Sequence, residues 1–201
     1  MKHIATTALV LATIIGTVLA APHTGQPAPE FTLTDSNGQS HKLSDFKGKF
    51  VVLEWLNHGC PFIKKHYGSG NMQKLQKEYT GKGVIWLSIV SSAPGKQGHM
   101  TPEETNKAKE ESGSAATAVL IDEDGSVGHL YDAKTTPHMF VVDPQGTLIY
   151  MGAIDSDRSP DPAGIEGAKN YIKQALDEAV ADKPVSEPTT TAYGCGIKYA
   201  N

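Results

Sequence analysis

Arginine is almost missing from this chain: Arg158 is the only one among 201 residues. Forked, bidentate recognition of phosphate groups is therefore not expected. An excess of either charge is missing too. Lys and Arg number 18, Asp and Glu 22, and the net charge of -4 gives no electrostatic case for nucleic acid or an anionic membrane surface. Cysteine is scarce, with Cys60 and Cys195 alone, and their wide separation rules out a local Cys motif. Within the chain each can pair only with the other. What remains is ordinary: 39% hydrophobic and 20% charged residues, in a length suited to one soluble domain with its own core.

The one long apolar run lies at the start. Lys2 and His3 precede Ile4 to Ala20, and Val18-Leu19-Ala20 offers small residues at a cleavage point. Thr6, Thr7, Thr13, Gly16 and Thr17 make the run weak for a membrane span. Residues 1–20 are predicted to be a signal peptide. The mature chain is then exported, periplasmic or secreted, with no membrane association after cleavage. In such a compartment two cysteines can stay paired or be cycled by a redox partner.

Along the mature chain, Phe31 to Leu43 alternates across Asn37-Gly38, which predicts a hairpin. Val51 to Leu56 and Val84 to Val90 read as strands buried on both faces, and Ala118 to Ile121 as a shorter one. Pro61 to about Tyr67 predicts a first helix, and Met72, Leu75 and Tyr79 mark a second. Thr101-Pro102-Glu103-Glu104 is a capped helix start, and Gly125 to Tyr131 suggests a helical turn. Met139 to Asp143 and Thr147 to Met151 form a second hairpin, and the spacing over Pro162 to Asp182 predicts a closing helix. From Lys183 the chain turns to Pro, Ser and Thr and reads as a flexible connector. It ends in Tyr193-Gly-Cys195-Gly-Ile197-Lys-Tyr199, too apolar to float free and expected to dock. The order describes an α/β fold with a central mixed sheet and helices on both faces.

Cys60 is the residue on which chemistry is expected. The apolar strand stops before it, Gly59 turns the chain, and Pro61 suits the first helical position. A cysteine at a helix N-terminus faces unpaired amides and the positive end of the dipole, so its pKa falls below the free-thiol value of ~8.5. The plainer alternative is a small apolar core residue. His58, His66 and His138 lie near it in sequence or in the expected fold, and a Cys60, Cys195, His58 and His66 set would suit copper or zinc. Lys64 and Lys65 read as a solvated helix face.

Four segments together resemble the thioredoxin-fold redoxins, most closely their exported peroxiredoxin-like members. These are Pro27-Ala-Pro29-Glu30-Phe31 before the hairpin, Leu43 to Lys49 before the core strand, Trp55 to Phe62 around the cysteine, and Thr136-Pro137 before Phe140-Val-Val-Asp143. The resemblance implies a redoxin domain over residues 21–182, with a tail over 183–201 that carries Cys195. It implies a cis bond at Thr136-Pro137 that turns the Thr136 backbone toward Cys60, ready to pair with an extended substrate. It implies a thiol oxidoreductase acting on a peroxide or a protein disulfide, recharged by an external thiol reductant and needing no cofactor. Three positions depart from the pattern. Ile63 stands where thioredoxins carry their second cysteine, which excludes Cys-x-x-Cys exchange. Asn57 replaces the peroxiredoxin threonine, leaving an amide to bond a peroxide oxygen. Arg158 is the sole residue able to serve as the arginine beside the thiolate. Cys195 is then the expected resolving cysteine, condensing with oxidised Cys60, with the tail ordered in the disulfide form and released by reduction. A metal carrier and a non-catalytic module with a structural disulfide are the alternatives.

Overall fold

The computed structural model describes residues 21–200; the predicted signal peptide lies outside them. β1 (Thr32–Asp35) and β2 (Ser40–Lys42) form the first hairpin. The core strand β3 (Val51–Trp55) leads to α1 (Pro61–Gly68) and α2 (Asn71–Thr80), then β4 (Ile85–Val90). α3 (Pro102–Glu111) precedes β5 (Ala118–Ile121) and α4 (Ser126–Leu130). A two-residue strand β6 (Thr135–Thr136) enters the hairpin of β7 (Met139–Val142) and β8 (Leu148–Gly152). α5 (Tyr171–Val180) and the short β9 (Cys195–Gly196) follow.

The seven-stranded sheet runs β2-β1-β5-β4-β3-β7-β8, and β6 with β9 makes a separate two-stranded ribbon. β3, β4 and β5 are parallel, while β7, β8 and the first hairpin join antiparallel. β3 is central, and all five of its residues are buried, as its unbroken apolar character required. Alternation divides them. Val51, Leu53 and Trp55 face a core closed by Phe31, Leu43, Val127 and Tyr131. Val52 faces the opposite core, made by α1, α2 and α5 through Ile63, Tyr67, Met72, Leu75, Ile172 and Leu176.

Thr101 caps α3 with both bonds of a capping box. The closing helix is shorter than its apolar spacing suggests. Pro162–Ile165 is only a 3₁₀ turn, Gly164 and Gly167 interrupt the path, and the helix proper starts where the Asn170 side chain accepts from Lys173 N–H.

The connector is also not free. Ser186 N–H donates to Glu178, Met151 N–H donates to Pro188 O at 3.0 Å, and Thr190 N–H donates to Met151 O at 3.0 Å. Thr189 thus extends the edge of β8 as a parallel bridge. Beyond it, β9 lies antiparallel to β6, with Thr136 opposite Cys195 and Thr135 opposite Gly196. Among the described residues no helix is long and apolar enough to cross a membrane.

Candidate active site

The site is built where β3 ends. Cys60 is the N-cap of α1, Pro61 takes the first helical position, and the Cys60 N–H is held by Asn57 O at 2.9 Å. Across from it the Thr136-Pro137 bond is cis, as the resemblance implied, and Cys60 Sγ donates to Thr136 O at 3.1 Å. Cys195 approaches from the tail on the paired ribbon. Both cysteines are free thiols in this structure. Cys60 has 0% exposure, covered by the segment that brings Cys195, and Tyr193 packs edge-on against Phe62 at 5.7 Å between ring centres.

Burial pushes the Cys60 thiol up. The Cys195 thiol and the N–H groups of Ile63 and Cys195, joined by the Thr136 hydroxyl once the thiolate forms, oppose this as donors, and the balance falls below an ordinary cysteine. Cys195 moves the other way, pushed up to about 11 by burial and by holding its proton against Cys60. The two thiols are thus unequal, one poised as nucleophile and the other as proton holder. The Thr136 hydroxyl has no partner while Cys60 is a thiol, so it is a donor in reserve for the thiolate.

Other expected residues fare differently. The Asn57 amide is spent on its own loop: its oxygen accepts from Gly59 N–H at 2.8 Å, and its nitrogen donates to Gln97 O at 3.1 Å. It fixes the turn into α1, with its oxygen and one of its two N–H donors spent on that loop. Arg158 is exposed, forms no hydrogen bond or ion pair with the described residues, and is not among the groups that shift Cys60. The metal set also fails. Among the described residues no three His, Cys, Asp or Glu side chains converge on one point. His58 packs on Tyr67, and His66 bonds to Asn71 and Tyr193. Burial, with Lys65 adjacent, drives His66 down to about 3, so it is neutral. Burial likewise takes His138 down to about 4.

Lys65 corrects the expectation of a solvated face. It is 2% exposed, and its Nζ donates to Asp157 O at 2.8 Å and Asp157 Oδ2 at 2.9 Å. Beside it lies a constellation that pattern reading missed. The Tyr193 hydroxyl donates to Asp155 Oδ1 and meets His66 Nε2 at 3.1 Å, all three being buried. Glu54 was missed as well. It is fully buried on β3, and accepts from Tyr67, Gln76, Trp86 and Ser88 at 2.8–3.2 Å. Its signal was visible, since a Glu inside an otherwise apolar strand must find donors.

Residues 24–151, more than half of the chain, match the AhpC/TSA family. The chain belongs to that family. Among curated relatives, the thiol-disulfide oxidoreductase ResA of Bacillus subtilis (strain 168) is 27% identical over 125 residues, which is 62% of this chain and 64% of ResA. The alignment therefore spans less than two thirds of that relative. An uncharacterized conserved protein from Geobacillus kaustophilus shares the fold at a TM-score of 0.77 with 29% identity, over 89% of this chain and 93% of the other. The thioredoxin domain of a thiol-disulfide oxidoreductase from Bacteroides vulgatus matches at 0.52 and 25%, over 73% and 98%. The redoxin family and the thioredoxin-like fold read from the sequence are both upheld.

Proposed function

We propose that this member of the AhpC/TSA family is a thiol-disulfide oxidoreductase in which Cys60 attacks and Cys195 resolves. The observation that carries it is the pair itself: a donor-rich, acidified thiol at the N-terminus of α1 with a second, proton-holding thiol against it. The Cys60 thiolate attacks one sulfur of a substrate disulfide, forming a mixed disulfide, and the departing thiolate takes a proton. Cys60 then carries no charge. Two of the three causes that held the Cys195 proton, the bond to Cys60 and its negative charge, are gone. Cys195 deprotonates, displaces the second substrate thiolate and closes the Cys60–Cys195 bond. The substrate disulfide leaves as two thiols, and the enzyme keeps one disulfide, which an external dithiol reopens.

Disulfide is favoured over peroxide because Asn57 is tied to its own loop and Arg158 is not among the groups that act on the thiol. The names of the relatives, thiol-disulfide oxidoreductases, point the same way. Export through residues 1–20 would place this exchange in a compartment where such bonds persist. N-terminal sequencing of the extracytoplasmic protein should start near Ala21, and an intact Met1 there would end that idea.

The function is tested by mixing reduced protein with a disulfide peptide and with hydrogen peroxide, each at equal concentration. The expected result is a Cys60–Cys195 bond formed faster by the peptide and absent in Cys195→Ser, which instead traps the mixed disulfide. Faster closure by peroxide would reverse the substrate assignment. Failure to trap any adduct on Cys60 would remove the reading altogether.

A further inference from the structure

The tail occupies the seat that an extended substrate would need. β9 pairs with β6 at Thr136, the strand next to the nucleophile, and Cys195 sits opposite Thr136. Both thiols are free and the tail is seated nonetheless, so no covalent bond is needed to hold it.

The seat is shaped for this tail. Gly194, at φ 138, lies so close to the Thr136 carbonyl that any Cβ there would run into it. A Cβ on Gly128 of α4 would strike the Tyr199 hydroxyl, and one on Gly152 of β8 would strike Thr190. Two elements distant in sequence thus receive it at glycines where a Cβ would clash, and the tail's own Gly194 does the same against Thr136. Main-chain bonds continue the contact: Ile197 N–H to Lys134 O at 3.1 Å and Ala93 N–H to Lys198 O at 2.9 Å. The Tyr199 hydroxyl donates to Ala133 O at 2.8 Å. The deepest anchor is Tyr193, whose hydroxyl bonds buried Asp155 and His66 two residues before Cys195.

We propose that the C-terminal tail is an intrachain substitute for a thiol-bearing extended polypeptide, latched by Tyr193, and that Cys60 meets such a substrate only when the tail lifts. The inference rests on the exchange chemistry proposed above and adds a gate to it. Cys195 has to leave for the mixed disulfide to form and to return for it to resolve, and both moves use one seat. Tyr193 is a positioning residue in this scheme, acting through the place it gives Cys195 and touching no substrate.

The test uses Cys195→Ser in the full chain, so that Cys60 is the only thiol, with two companions: the same chain carrying Tyr193→Phe, and the same chain ending after Ala192, which keeps the β8 edge contacts. Iodoacetamide and a peptide bearing one thiopyridyl-activated cysteine are the probes, each over a range of concentrations. In the full chain, both rates should level off at one shared value set by tail opening. Tyr193→Phe should raise that plateau about tenfold, the change that loss of about 1.4 kcal/mol of latching gives. The shortened chain should show no plateau. Rates that rise in proportion to probe and match in all three proteins would overturn the gate. A shortened chain that takes iodoacetamide faster but refuses the peptide would keep Cys60 covered yet overturn its disulfide exchange, and with it the substitute role.

Discussion

At the scale of single residues, the informative fact is that the two thiols differ because each shapes the other. The Cys195 proton is one of the donors that stabilise the Cys60 thiolate, so Cys195→Ala should move the Cys60 titration upward, toward the free-thiol value of ~8.5. Serine at 195 keeps a donor and should move it less. Thiolate ultraviolet absorbance against pH reads this directly, and equal midpoints in the three proteins would contradict the assignment. Glu54 gives a second test. Burial raises its pKa, opposed by bonds from Trp86, Tyr67, Ser88 and Gln76. A carboxyl raised in the folded state contributes stability that is complete below its unfolded value of ~4.3 and is lost as pH rises through the folded one. The wild-type melting temperature should therefore fall over that window, and Glu54→Gln, neutral throughout, should flatten the fall. A profile identical to wild type would show that Glu54 ionises as it does in the unfolded chain. Lys65 makes the same point about context. Nothing in Ile63-Lys-Lys-His66 says which lysine is buried, because the partner, Asp157, lies on a distant loop.

At the scale of elements, legibility followed how local the cause was. β3, β4 and the two hairpins could be read because periodicity and turn residues act over a few positions. The start of α1 was fixed by Gly59, Cys60 and Pro61. The beginning of α5 was not legible, since Ile165 and Ala168 keep helical spacing while Gly164, Gly167 and the Asn170 cap break the helix. The connector misled for a related reason: Pro, Ser and Thr are typical of free linkers, yet Thr189 pairs with the open edge of β8, which no composition announces. The β6–β9 ribbon joins the redoxin domain to the tail beyond it, across about 60 residues of sequence, and depends on one position for its close approach. Gly194→Ala should unseat it, so the Ile197 and Ala93 amides should lose hydrogen-exchange protection while β3 and β4 keep theirs. Unchanged protection at both amides would mean that the ribbon tolerates a side chain there.

At the scale of the whole molecule, oxidation should cost little movement. Cys60 and Cys195 already interact as thiols, so closing the bond requires no journey by the tail. Hydrogen exchange of the tail is expected to be similar in the dithiol and disulfide forms, and a large gain of protection on oxidation would show that the dithiol tail is mostly open. Ending the chain after Ala192 should leave a folded redoxin whose Cys60 has no resolving partner. Intact-mass measurement under repeated peroxide should then find sulfinic acid on Cys60 in the short chain and a disulfide in the full one. Equal oxygen uptake would dismiss Cys195 as resolver. The position of the cover in the chain has one more consequence. Gly128, Gly152 and Thr136 all precede Tyr193, Cys195 and Tyr199 in the chain, so the nucleophile and the residues of its seat are made before their lid. Every newly made molecule therefore passes through an interval in which its most reactive sulfur exists and Tyr193 to Tyr199 do not.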